Sequence, residues 1–126
     1  MDRFLLTPFV LDRGSPGHLR LRTPGAWVNQ PTFFGAGMAG RLQAVHAPLA
    51  QAAHNCMVTG QRPVSVAGDC CAVLPVMAGL QRAGVAPRLL WLDAHGDFNT
   101  ADTSPSGFIG GMPLAMLVGS GDQSLM

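Results

Sequence analysis

The sequence predicts an α/β domain built on a parallel sheet, and three observations carry that expectation. Apolar runs of strand length lie at Phe4 to Val10, Pro63 to Val66 and Arg88 to Leu92. Between them, apolar residues recur at three- and four-residue steps, the signature of amphipathic helices. Strand–helix–strand–helix–strand alternation is the order from which parallel sheets are built, with right-handed crossovers between the strands.

Each element has a local reason. Phe4 to Val10 forms the first strand, and Pro8 confines pairing there to an edge or an end because it lacks a backbone N–H. Asp12 to Phe34 is rich in Gly, Pro and Arg and reads as a long loop, a kind of segment that tends to be functional or mobile. Met38, Leu42, Val45, Leu49, Ala53 and Cys56 mark one face of a helix from about Met38 to Thr59, which Gly60 ends. After the strand Pro63 to Val66, the turn Ala67-Gly68-Asp69 leads into a helix over Ala72 to Ala83, closed by Gly84. Asp69 is placed to cap that helix and to orient a metal ligand from behind. The strand Arg88 to Leu92 follows, then a polar loop from Asn99 to Gly111 and a last helix near Pro113 to Val118. No repeat or linker divides the chain, so residues 1–126 are expected to form one domain.

Composition narrows the function. Only 12% of residues are charged, against roughly 25% in ordinary globular chains. Lys and Glu are absent, so carboxylate chemistry falls to Asp. The net charge of +1 comes without a basic cluster and leaves no electrostatic footprint for nucleic acid. No run approaches the length needed to cross a bilayer, and the start lacks a usable secretory signal. Three cysteines, an odd number without an export signal, point to a reducing cytoplasm. So much apolar content for so few charges implies a surface covered by something else, either a partner subunit, such as a second copy in a homo-oligomer, or a missing part of the same fold.

The segment Trp91-Leu92-Asp93-Ala94-His95-Gly96-Asp97 carries the chemistry. Side chains two apart on extended backbone point to the same side. Asp93, His95 and Asp97 are therefore expected to converge just past a strand end, where open parallel sheets place their ligands. Two carboxylates and an imidazole suit a divalent first-row metal.

Other motifs are weaker. Gly35-Ala36-Gly37-Met38-Ala39-Gly40 fits a dinucleotide-binding pattern, but neither the preceding apolar strand nor the later acidic residue is present. Cys70 or Cys71 with His95 offers a thiol nucleophile and a base, since a helix N-terminus stabilises a thiolate; Cys71 is better read as buried in the helix. His18 is expected in solvent, and His46 and His54 as surface or capping residues without a carboxylate to join them.

Asp93-Ala94-His95-Gly96-Asp97-Phe98-Asn99-Thr100 closely resembles the Asp-Ala-His-x-Asp-x-x-Thr signature of the arginase and agmatinase (ureohydrolase) superfamily. Ala67-Gly68-Asp69-Cys70-Cys71 stands in the place of that family's Gly-Gly-Asp-His-Ser turn. Ser106-Gly107-Phe108-Ile109-Gly110-Gly111-Met112-Pro113 resembles the arginase stretch Ser-Gly-Asn-Leu-His-Gly-Met-Pro. The resemblance implies a three-layer α/β/α fold with a parallel sheet, of which this chain is an N-terminal part, incomplete at its C-terminus. It implies a manganese pair, its ions roughly 3.5–4 Å apart, that activates water to attack a guanidino or amidino compound. It makes Asp93, His95 and Asp97 metal ligands, with Asp97 also the catalytic carboxylate. Asn99 and Ser106 fall where arginases hold the amino-acid end of the substrate.

The departures bear equally on function. The family's first metal histidine falls at Cys70, whose thiolate suits zinc better than manganese. Its histidine before Gly-Met-Pro falls at Gly110, and Phe108 replaces an Asn that binds substrate. The family's later Asp-x-Asp pair has no counterpart in Asp102 or Asp122. The expectation is hydrolysis of a linear amidine in the complete fold, with weak or no activity in this chain alone. The alternative is a non-catalytic metal-binding or regulatory subunit.

Overall fold

The computed structural model describes residues 1–35 and 37–125 of the chain. Strand β1 (Asp2–Thr7) is the centre of a parallel sheet, with the short β4 (Trp27–Val28) on one side and β5 (Arg62–Ala67) on the other. β5 pairs with β1 along its whole length, from Asp2 opposite Arg62 to Thr7 opposite Ala67, whereas β4 reaches only Leu5 and Leu6. Leu5 and Leu6 point to opposite faces and both are buried, so the central strand is covered on both sides.

The expected strand Phe4 to Val10 is divided. Pairing stops before Pro8, which has no N–H for the ladder. Phe9–Val10 (β2) then starts an antiparallel hairpin with Arg13–Gly14 (β3). The long loop after Asp12 thus holds β3, a 3-10 turn at Pro16–Leu21 and β4. β4 is tied down by Asn29 just beyond it: the buried amide donates to the Val45 carbonyl at 2.8 Å and to Thr7 Oγ1 at 3.3 Å.

Helix α1 (Met38–Val58) ends at Gly60, whose φ of +71° gives it the left-handed conformation of a helix stop. Helix α2 (Val73–Arg82) crosses α1 where Gly79 meets Ala53. A Cβ at position 79 would stand 2.8 Å from the Ala53 Cβ, so only glycine permits this approach. Leu5, Leu49, Ala53 and Cys56 form one core beneath these helices, with Trp27 and Val76 at its margin. A second core of Cys71, Leu74, Met112 and Met116 joins the start of α2 to α3 (Pro113–Leu117).

Three expectations are corrected. Arg88 to Leu92 is not a strand of the sheet: the segment has no ladder partner among the described residues, and Leu90 and Leu92 are 80% and 85% exposed. It faces β5 across an open groove of about 490 Å³. His46 is buried, not at the surface, because it lies on the face of α1 that also carries Leu42, Val45 and Leu49. Its Nδ1 has no hydrogen-bond partner among the described residues, and burial holds the imidazole below its ordinary pKa. His18 is half-buried, its Nδ1 2.7 Å from Ser15 Oγ. The Gly35 to Gly40 motif includes Ala36, which lies outside the described residues. No described helix is long and apolar enough to cross a membrane.

Candidate metal centre

The site begins where β5 ends. Gly68 passes so close to β2 that a Cβ there would stand 2.8 Å from Val10 Cγ2. Asp69 follows and uses both carboxylate oxygens. One accepts the Cys71 N–H at 2.8 Å, capping the 3-10 turn Cys70–Ala72 that opens α2. The other accepts the Leu11 N–H at 2.6 Å. Leu11 has a φ of +53°, an unfavourable region for a residue with a Cβ, and this bond helps to hold it there.

The turn sends two adjacent cysteines in opposite directions. Cys71 is wholly buried in the second core, its thiol 3.6 Å from the Ile109 carbonyl, as expected of a small hydrophobe. Cys70 faces the acidic segment, and its thiol donates to Asp93 Oδ2 at 3.5 Å. Burial pushes the Cys70 thiol up to about 12, with the Asp97 and Asp93 carboxylates adding to the effect. An activated nucleophile needs the reverse, a lowered pKa beside a base. The thiol-nucleophile reading therefore lacks its electrostatics here.

Residues 93–97 do not run as a simple extended strand end. Asp93 Oδ1 accepts the His95 N–H at 2.8 Å, an Asx-turn that bends the chain at Ala94. That hydrogen bond, followed by the one from Cys70, holds the Asp93 carboxyl below the usual carboxylate range. The bend turns His95 outward: its side chain is 82% exposed, with Nδ1 3.2 Å from Asp93 Oδ1. Asp97 adopts a φ of +46° and turns inward, only 6% exposed. Its Oδ2 is buried without a hydrogen-bond partner among the described residues.

The structure thus brings Cys70, Asp93 and Asp97 together, with donor atoms all within 4.8 Å of one another, and leaves His95 outside the group. One sulfur and two carboxylate oxygens fit a single divalent ion, and the partnerless Asp97 oxygen is the position such an ion would satisfy. They do not fit a pair of ions, which needs further carboxylates. Above the group opens a cleft of about 550 Å³. Asn99 lines it, but Ser106 does not: its Oγ accepts the Phe108 N–H at 3.3 Å. Phe108, which stands where the family has a substrate-binding Asn, lines it together with Phe98, which sequence reasoning did not place at the site. The signal for Phe98 was an aromatic residue inside an otherwise polar motif, between Asp97 and Asn99.

The sequence profile of the arginase family matches residues 18–124. The arginase of Bacillus caldovelox is 42% identical over 77 residues, covering 61% of this chain and 26% of that protein. The arginase of Neurospora crassa is 34% identical over 123 residues, covering 94% of this chain and 30% of that protein. A crystal structure of arginase from Bacillus subtilis superposes with a TM-score of 0.75 at 29% identity, over 99% of this chain and 49% of that one. The chain therefore spans about half the length of that solved arginase and shares its parallel α/β frame. Because the match runs through the whole site, from the cysteine turn to the loop under the aromatic rim, the chain belongs to the arginase family.

Proposed function

We propose that this chain carries one half of a ureohydrolase site, acting in the cytoplasm on a small guanidino or amidino compound when the full fold is assembled. The observation that supports this reading is the convergence of Cys70, Asp93 and Asp97 at the floor of an open cleft. A divalent ion held there would supply Lewis acidity and lower the pKa of water. Asp97 is the candidate catalytic carboxylate, since it is buried within the cluster and one of its oxygens has no hydrogen-bond partner among the described residues. Manganese is what the family resemblance implies, whereas the sulfur of Cys70 favours zinc. His95 would need to rotate from solvent to join the ligands, and Asn99 remains available to a substrate from the cleft wall.

The isolated chain is expected to be a weak catalyst or none. It offers donors for one ion, and Gly110 supplies no proton-transfer group where the family has histidine. Such a group is typically worth about 10²–10⁴ in rate. The exposed run Leu89 to Leu92 supports self-association of the isolated chain. The replacement of both histidines also favours a second reading, a metal-binding subunit without catalysis.

Metal analysis of purified protein, coupled to urea and ammonia release from a guanidino panel, tests these readings. The expected result is about one bound ion per chain and little or no hydrolysis. A monodisperse, metal-free monomer that releases urea at ordinary enzyme rates would overturn both.

A further inference from the structure

The candidate centre departs from the family pattern in its donor atoms. With His95 turned out to solvent, Cys70, Asp93 and Asp97 remain, so the Cys70 sulfur is the only donor of the group that is not a carboxylate oxygen. Cys56 and Cys71 are closed within the two cores and cannot stand in for it. Any pull toward a soft ion therefore rests on one atom.

The spacing suits such an ion. Cys70 Sγ and Asp93 Oδ2 lie 3.5 Å apart. Bonds of about 2.3 Å to sulfur and about 2.0 Å to oxygen, set at the tetrahedral angle, separate two donors by about 3.5 Å. An ion that replaces the thiol proton finds both atoms already in place. Asp97 offers the third donor from a side chain only 6% exposed, whose Oδ2 has no hydrogen-bond partner among the described residues. The carboxylates that keep the thiol protonated are the ones the ion neutralises, so the thiolate forms with the metal and not before it. Three protein donors leave a tetrahedral ion one open position, as in catalytic zinc sites. Manganese gains less from this set, because it favours carboxylate, carbonyl and water oxygens.

We propose that Cys70 makes this a one-ion site for a thiophilic metal of the zinc type, and that this single sulfur turns the chain away from the manganese its family resemblance implies. The inference rests on the reading of Cys70, Asp93 and Asp97 as a metal centre and names the residue that sets the metal within it.

Metal titrations of the full chain test it without any measure of catalysis. Cobalt(II), the spectroscopic stand-in for zinc, should give a near-ultraviolet sulfur-to-metal charge-transfer band that saturates at about one ion per chain. Zinc outranks manganese at most sites of this kind, so the informative quantity is how the zinc-to-manganese affinity ratio depends on residue 70. Cys70→Ser should abolish the band and lower zinc affinity by about 100-fold, with manganese changed less than about threefold. Cys70→His should also lack the band and should narrow the ratio by about tenfold. Cobalt binding without the band, a ratio unchanged in both variants, or no binding of any of the three ions overturns the proposal. The cobalt spectrum of the unaltered chain needs no substitution, so it decides the matter even where a variant fails to fold. Urea release is read separately. A thiolate-bound metal without urea release from any guanidino compound removes the catalytic reading and leaves this one standing. Urea release with manganese, in a chain that shows no sulfur band with cobalt, does the opposite.

Discussion

Leu5 and Leu6 in β1 and Leu90 and Leu92 beyond α2 sit in apolar runs of similar length and character. The first pair is 1% and 2% exposed, the second 80% and 85%. The difference lies in what stands on either side. β1 has a ladder partner on both edges and α1 packed across it, whereas residues 88–92 have an open groove on one side. An apolar run records a preference for burial; neighbours decide whether the preference is met.

The comparison breaks most visibly in the core. Leu49→Ala, which hollows the cluster around Leu5, should lower unfolding free energy by about 2–5 kcal/mol in urea titration. A loss under 1 kcal/mol would mean that this cluster is not the organising core.

Asp69→Ala comes next. It removes a helix cap and the tether on Leu11 together, so about 1–3 kcal/mol should be lost. Asp69→Asn should recover part of it, since its side-chain oxygen still accepts. Equal losses in the two variants would rule out hydrogen bonding as the cause.

His46 provides a smaller effect with a definite sign. Burial lowers its folded pKa, partly opposed by the Asp69 charge, so the unfolded chain binds the proton first. Its contribution to stability is complete above the ordinary value of 6.5 and is lost as pH falls through that value, levelling off below the folded pKa. The slope should not exceed about 1.4 kcal/mol per pH unit. Unfolding midpoints between pH 7.5 and 5 should show it, and His46→Gln should flatten it.

The smallest expected change sharpens the contrast from the exposed side. Leu90→Ser with Leu92→Ser should alter stability by no more than about 0.5 kcal/mol while reducing self-association in sedimentation. Marked destabilisation would show that the run is packed in solution.

Much of the frame was legible in the residues. The helical steps from Met38 to Cys56, the strand at Pro63 to Val66 and the stop at Gly60 all follow from spacing and backbone preference, and the structure has each within a residue or two. β4 escaped because two residues, Trp27 and Val28, cannot display a period. The extra strand at Arg88 to Leu92 was over-read because alternation and apolarity do not report a missing partner. At the site, the Asp93–Asp97 spacing and the turn at Cys70 pointed to residues that the structure brings together. The outward turn of His95 was not foreseeable from alternation alone. It depends on Asp93 capturing the amide two residues on, which removes the extended geometry that alternation assumes.

The double grip of Asp69 has a kinetic consequence. Its bond to Leu11 spans 58 residues of chain, and closing a loop of that size from scratch costs about 3–4 kcal/mol of entropy. Zipping β1 against β5 has already closed nearly the same loop, so the bond adds almost nothing to that cost if it forms afterwards. The hairpin tip and the cysteine turn should therefore lock late and together, once the parallel ladder is in place. The Leu11 amide then becomes a built-in clock: the moment at which it gains protection from hydrogen exchange marks the arrival of the cleft floor.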